Sequence, residues 1–445
     1  MVRALDASQL GTRSMVQATS SVAALTGIVL LFATLTSIIA ATTPAWESAD
    51  EPGHVRNIET LVQGRLYGID AHCTVSRQAG PDALLSCAGD EAHQAPLYYF
   101  AMAGWQDLIG LQARYPPRTV ASAVGSAHRG DHGFLIWLRF PNVLLGAITV
   151  VMAFCVTRLI VRDSWTPVLA AALVATFPQF VFESSFVTND NLANTLGAVL
   201  VFCAVKCVTL KFSLRWIALT GVTFGLLIDT KISTLLLGLI IPVVALMAPG
   251  WRSRLSLLAY GVIAALVASS WYLIQNWVRY GDPLARQASS RYLAKVGGLA
   301  TSPGIPYTVR QPLHLILVDV PYRILRTIWY ESGAGLFHWP TWISVVITCV
   351  IGAILLGLIG QHYSGEILTV LITISVSALA SVWLIAFQTA SYSSRYALVG
   401  VGGVATLVAL ALQRWSMSLR WLLPIAALFG CCVAIDQNIF NASWI

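Results

Sequence analysis

The sequence predicts an all-α polytopic membrane protein with about eleven transmembrane helices and a large first outer loop carrying interfacial helices. Composition is the first reason. Of 445 residues, 57% are hydrophobic and 11% charged, about half the charged share of a soluble globule. Spacing is the second. Apolar residues gather in repeated runs of about twenty, the length at which a helix crosses a bilayer with its backbone hydrogen bonds satisfied internally. A soluble all-α enzyme fits neither observation. The formal net charge of +7 sits mostly in short loops, and no basic-aromatic nucleic-acid module accompanies it.

Residues 1–20 are polar, with Arg3 and Arg13, and read as a cytoplasmic tail. Residues 21–41 form the first span. The run is long for a signal peptide and the chain beyond it is itself membranous, so a retained helix is expected. Residues 42–133 make the first outer loop. Spans two to seven fill 134–277, at about 134–160, 165–185, 190–209, 214–229, 232–248 and 255–277. A basic outer loop covers 278–340. Spans eight to eleven lie in 341–445, at about 341–360, 366–388, 395–413 and 419–436. Pro96–Leu111 is apolar enough to suggest a twelfth span, but it is short and carries Gln106 and Asp107, so it reads as an interfacial helix. Leu313–Tyr330, with a kink expected at Pro321, reads as another. No internal repeat or separate soluble domain is visible.

Arg158/Arg162, Lys206/Lys211/Arg215, Arg252/Arg254 and Arg414/Arg420 all fall in short connections on the side of the N-terminal tail. The excess of Lys and Arg in such loops marks the cytoplasm, which places the C-terminus and both large loops outside, across a bacterial inner membrane. Of 20 acidic residues, Asp6, Asp163 and Glu366 are then the cytoplasmic ones. The chemistry is expected outside. Eight cysteines offer no CxxC pair and no zinc spacing. Cys155, Cys203, Cys207, Cys349, Cys431 and Cys432 lie in apolar runs as small hydrophobes. Cys73 and Cys87 share the first outer loop, where a disulfide and two thiols are equally open.

The densest charge is Glu47–His54, Glu-Ser-Ala-Asp-Glu-Pro-Gly-His. Pro52 suits the first turn of a helix, and Ser48-x-x-Glu51 has capping-box form. Asp50, His54 and Asn57 would share one helical face. Asp50 or Glu51 either caps that helix or serves as a general base. Where the loop returns come Asp90, Glu91, His93 and Gln94, able to meet the first cluster in space. Thr188-Asn189-Asp190 occupies a tight outer turn, where Asp190 caps a helix or, as a carboxylate at a membrane edge, is functional. Lys231 either pairs with Asp229 or holds a phosphate, the latter favoured. Arg395-Tyr396 opens the tenth span, and an arginine facing the bundle suits phosphate through its planar fork. The basic loop adds Arg291 and Arg323 as candidates for an anionic headgroup; adhesion to anionic membrane lipid is the plainer alternative. The HExxH signature of metalloproteases is absent.

Taken together these residues resemble the GT-C superfamily of polyprenyl-phosphate-sugar-dependent membrane glycosyltransferases, of the mannosyltransferase and aminoarabinose-transferase kind. The matching pieces are Asp50-Glu51-Pro52-x-His54, His93-Gln94-Ala95-Pro96-Leu97-Tyr98-Tyr99, Arg139-Phe140-Pro141-Asn142, Thr188-Asn189-Asp190, Thr230-Lys231, Asn276 with Tyr280-Gly281-Asp282-Pro283, and Arg395-Tyr396. The match departs at Ala95, where a second proline is common. The resemblance implies an inverting hexosyl- or pentosyltransferase with Asp50, and Glu51 beside it, as catalytic base. His54, Glu91, His93, Asn189, Asp190, Lys231, Arg291, Arg323, Arg395 and Tyr396 would bind a polyprenyl-phosphate sugar and a glycan, lipid or protein acceptor. A magnesium or manganese ion is left open, with Asp50, His54 and Asp190 as candidate ligands. A transporter or lipid-handling protein, or a membrane metallohydrolase, are the competing functions.

Overall fold

The structure is a computed structural model and describes residues 7–46, 50–69, 91, 93–112, 129–289, 314–332, 337–388 and 393–442. Among them, seven helices are long and apolar enough to cross a membrane: Thr19–Thr42, His132–Ile160, Asp190–Thr209, Trp251–Tyr280, Gly365–Ile385, Ser394–Leu412 and Met417–Asp436. Three shorter apolar helices, Trp165–Ala175, Ile232–Met247 and Thr341–Leu356, accompany them. Helix length therefore distinguishes fewer full spans than the eleven apolar runs suggest. The run at 165–185 shows why. Its helix stops at Ala175, Phe177 turns extended (φ −73°, ψ 111°), and Pro178 starts a separate short helix, Pro178–Glu183. Proline disfavours helical backbone at the residue before it and is at home in a first turn. The sixth and tenth runs likewise open as 3-10 turns, Ile232–Leu239 and Ser394–Gly400. At the N-terminus the helix begins at Ala7, inside the expected tail.

The elements that position the site are α1 (Ala7–Thr42), α2 (Glu51–Val62), α3 (Leu97–Leu108), α4 (Arg129–Ile160), α5 (Trp165–Ala175), α6 (Pro178–Glu183), α7 (Asp190–Thr209), α8 (Leu214–Thr230), α9 (Ile240–Met247) and α10 (Trp251–Tyr280). Leu200, Val201, Ala204, Leu227, Ile240 and Leu371 belong to a core joining α7, α8, α9 and Gly365–Gln388. Glycine sets two close approaches. A Cβ at Gly221 of α8 would lie 2.1 Å from the Gly261 carbonyl oxygen of α10. A Cβ at Gly197 of α7 would lie 2.2 Å from the Val399 carbonyl oxygen, so glycine lets the Ser394–Gly400 turn press against α7.

A smaller core, including Val55, Ile58, Tyr98, Tyr99, Met102, Leu135 and Leu138, seats α2 and α3 on the start of α4. The Pro96–Leu111 stretch is thus a half-buried helix, with Phe100 and Leu108 exposed. Helix Val320–Thr327 occupies part of the second expected interfacial stretch, with Pro321 in its first turn. The only strands among the described residues are an antiparallel pair, Glu331–Ser332 with Phe337–His338.

Candidate active site

Arg139 organises this end of the bundle. Its side chain is fully buried, and its fork is filled. Nε donates to Glu51 Oε1 (2.8 Å) and one Nη to Glu51 Oε2 (2.6 Å). The other Nη donates to the carbonyls of Ala40 (2.7 Å) and Thr43 (3.0 Å). The Val187 amide adds a bond to Glu51 Oε1 (3.2 Å). One bidentate pair therefore ties the end of α1, the first turn of α2, α4 and the segment before α7. Glu51 neither caps its helix nor faces solvent: both oxygens are committed, which removes the expected second base from reach. Ser48 and Glu47 lie outside the described residues.

Asp50 sits at the N-cap of α2 but makes no side-chain cap bond. Its carboxylate accepts from Arg395 instead. Arg395 also lies 3.6 Å from Asp190 Oδ2 through Nε, and Asp190 Oδ1 accepts from Lys231 Nζ. Tyr396 lies beneath both cations, 4.4 Å from Lys231 Nζ and 5.5 Å from the Arg395 guanidinium carbon. The result is an alternating chain, Asp50–Arg395–Asp190–Lys231. Lys231 thus pairs with Asp190, not with the neighbouring Asp229. Asp190 is in the first turn of α7, and its carboxylate spans the two cations instead of capping that helix.

His54 and Asn57 share a buried face with Asp50, as the spacing predicts, and that face meets the returning loop. His54 Nδ1 bonds the Tyr99 hydroxyl (2.7 Å), and Asn57 Nδ2 donates to the Glu91 carbonyl (2.8 Å). Gln94 Nε2 donates to Glu91 Oε2 (2.8 Å), while its Oε1 accepts from Asn189 Nδ2 (3.1 Å). Asn189 also donates to the Thr230 carbonyl (3.1 Å). His93 Nε2 lies 3.9 Å from Glu91 Oε2. Burial raises the Asp50 carboxyl, but Arg395, helped by His54 and Lys231, outweighs it and holds Asp50 below its ordinary value. Burial lowers the His54 imidazole despite Glu91 and Asp50. Burial, then the charge of Asp50, pushes Glu91 up. Two carboxyls near one imidazole are thereby driven in opposite directions.

The structure brings together Asp50, His54, Glu91, His93, Asn189, Asp190, Lys231, Arg395 and Tyr396. Arg323 is exposed on helix Val320–Thr327; Arg291, Asp90, Cys73 and Cys87 lie outside the described residues. No group of three or more His, Cys, Asp or Glu able to hold a metal ion occurs among the described residues. Asp50 and Asp190 face Arg395 and Lys231, and His54 bonds a tyrosine, so this donor set does not fit magnesium or manganese. The sequence reading names Gln94 beside Glu91 and His93, and quotes Arg139, Tyr99 and Asn142 within motifs, but gives Arg139, Tyr99 and Asn142 no role of their own and does not single out Asn191. Tyr98 donates to Asn142 Oδ1 (2.8 Å), and Asn191 Nδ2 donates to the same oxygen (3.1 Å). Amides inside apolar runs were the available signal.

Residues 130–274, about a third of the chain, match the family model of dolichyl-phosphate-mannose-protein mannosyltransferase. A sequence search of the curated proteins finds no match. Among solved structures the chain is similar to ArnT from Cupriavidus metallidurans bound to undecaprenyl phosphate, with 13% identity and TM-score 0.54. That likeness covers 94% of this chain and 64% of ArnT, so the chain spans less than two thirds of its relative. The apo form of the same enzyme gives 14% identity and TM-score 0.51 over 91% and 62%. The chain is an integral membrane protein with the GT-C glycosyltransferase fold.

Proposed function

We propose that the chain is an inverting glycosyltransferase that moves a sugar from a polyprenyl-phosphate carrier to a cell-envelope acceptor, with Asp50 as general base. Accessibility carries the assignment. The Asp50 side chain is 24% exposed, against 4% for Asp190 and none for Glu51. A general base must reach its proton, and Asp50 alone of the three combines access with a local charge that keeps it ionised. It takes the acceptor hydroxyl's proton as that oxygen bonds the anomeric carbon; the bond from that carbon to the phosphate oxygen breaks on the opposite face.

Lys231 and Arg395 hold the departing polyprenyl phosphate, since cations already in place cost little reorganisation as charge develops. The Arg395 Nε–H is buried without a hydrogen-bond partner, leaving a donor for an incoming phosphate oxygen. A phosphodiester that draws Arg395 off Asp50 also removes the charge that keeps this carboxylate weak, so donor binding strengthens the base. The undecaprenyl phosphate held by ArnT supports the donor class. Arg158, Lys206 and Arg414, at the helix ends opposite this cluster, support placing the site on the outer face of the membrane. The test is incubation of purified protein with polyprenyl-phosphate sugars and envelope acceptors. Wild type transfers sugar with inverted configuration and Asp50→Asn does not; wild-type turnover by Asp50→Asn overturns the assignment.

A further inference from the structure

The turn that carries Arg395, Ser394–Gly400, is held at both ends. At its far end the Val399 carbonyl fills the space beside Gly197. At its near end the contact comes from helix Val320–Thr327 of the basic outer loop. The Thr327 hydroxyl donates to Ser394 Oγ (2.9 Å), and both residues are buried, out of reach of water that could replace either partner. Val320 and Ile324 of the same helix pack with Val382 against Tyr396 and Ala397. The helix thus touches the residue before Arg395 and the residue after it, and leaves the guanidinium to Asp50 and Asp190. Its own folding does not call for the bond to Ser394. The Arg323 carbonyl, one turn back, lies 2.9 Å from the Thr327 hydroxyl, a common partner for a threonine inside a helix. Apolar packing is non-directional, whereas a hydrogen bond weakens steeply off its preferred angle. The hydroxyl pair therefore fixes where the start of the turn comes to rest.

We propose that Thr327 and Ser394 are positioning residues, through which the second outer loop sets Arg395 against Asp50 and Asp190. The placement stands on these contacts alone; what Arg395 then does for a phosphate rests on the transferase reading above. Ser394 adjoins Arg395 in a 3-10 turn, the tight form with about three residues per turn, so a turn start that loosens carries the guanidinium with it. Asp50 reports the result. The titratable groups around it are Arg395, Asp190, Lys231, His54, Glu91 and Glu183. Of these, Arg395 alone belongs to the turn that Thr327 holds. It is also the group that most opposes the effect of burial on the Asp50 carboxyl.

The experiment uses the purified full chain in lipid nanodiscs and follows the Asp50 carboxyl by infrared spectroscopy through a pH titration. Its band is the one that Asp50→Asn removes. Ser394→Ala and Thr327→Val each move the midpoint to higher pH by about one unit, a tenfold weaker hold on the ionised form. Thr327→Ser keeps the hydroxyl and the wild-type midpoint. Thr157→Val is the control for a purely structural bond. The Thr157 hydroxyl, in the last turn of α4, pairs with that of Thr406 at 3.1 Å, both fully buried; its loss lowers the thermal transition and leaves the midpoint in place. Sugar transfer from a polyprenyl-phosphate donor, measured alongside, falls by up to ~10²-fold in Ser394→Ala and Thr327→Val, the order of loss for a constellation displaced by about 1 Å. Three results overturn the proposal: a midpoint unmoved in both Ser394→Ala and Thr327→Val, an equal move in Thr157→Val, or a move in Thr327→Ser as large as in Thr327→Val. Moved midpoints in a chain whose wild type transfers no sugar uphold the positioning and defeat the transferase reading.

Discussion

Arg395 donates to the carboxylate of Asp50 from 345 residues away in the chain, and this one contact holds the most accessible acid of the cluster ionised. Its consequence is a pH profile. Asp50 works as a base only when ionised, so activity is lost as pH falls through its pKa. Arg395 and, less strongly, His54 and Lys231 hold that value below the ordinary carboxylate range against the opposing effect of burial. In Arg395→Gln burial meets less opposition and the pKa rises. The acid limb of kcat/KM, which reports the free enzyme, therefore moves to higher pH in Arg395→Gln, on top of weaker donor binding. An acid limb unmoved between the two proteins would separate Arg395 from the base.

Asp50→Asn and Glu51→Gln are neighbours with opposite expected phenotypes. Asp50→Asn lowers sugar transfer by ~10²–10⁴-fold, the usual contribution of a positioned base, and leaves a folded protein. Glu51→Gln breaks a buried bidentate pair and leaves Arg139 charged and uncompensated. Such a break costs about 3–5 kcal/mol, visible as a lower thermal transition in detergent and a lower membrane yield. Arg139→Met combined with Glu51→Leu recovers much of that loss, because the pair then leaves no orphan charge behind.

Part of this architecture was legible in the sequence. The helical class followed from apolar runs, and the meeting of Asp50 with His54 and Asn57 on one face followed from helical spacing. The order of the acidic and basic motifs pointed to one end of the bundle. Partner choice was not legible. Nothing local says that Lys231 passes over Asp229, two residues away, to pair with Asp190, because the turn after α8 takes Lys231 into extended backbone (φ −159°, ψ 110°). Glu51 and Asp50 look interchangeable as neighbours in sequence. The structure separates them because adjacent residues at a helix start project in different directions, one onto Arg139 and the other onto Arg395.

Lys231→Met tests the far end of the alternating chain. Asp190 loses its closest cation while 4% exposed, so the variant is less stable and its donor KM rises. Asp190→Asn added to Lys231→Met removes the stranded charge and restores the thermal transition. Transfer stays low in that double variant, because the phosphate has lost its lysine. Recovery of both stability and turnover would reduce Lys231 to a structural partner of Asp190.

Gly197 governs whether Arg395 arrives at all. It lies about two turns into the helix that starts with Asp190, and the Val399 carbonyl of the Arg395 turn occupies the place of its missing Cβ. Gly197→Ala must push that turn away from α7 by enough to relieve a 2.2 Å contact. Arg395 sits four residues before Val399 and moves with it, off Asp50 and Asp190. Overpacking of this kind costs about 1–3 kcal/mol, but displacement of a reacting constellation by about 1 Å costs ~10²-fold in rate. Gly221→Ala supplies the comparison. Its Cβ would meet the Gly261 carbonyl oxygen at 2.1 Å, an equally tight helix contact that lies about three turns before Lys231 and does not touch the Arg395 turn. Both variants should lose similar thermal stability, while turnover per folded molecule drops far more in Gly197→Ala. Equal losses of turnover would mean that the approach of the Arg395 turn to α7 serves packing alone.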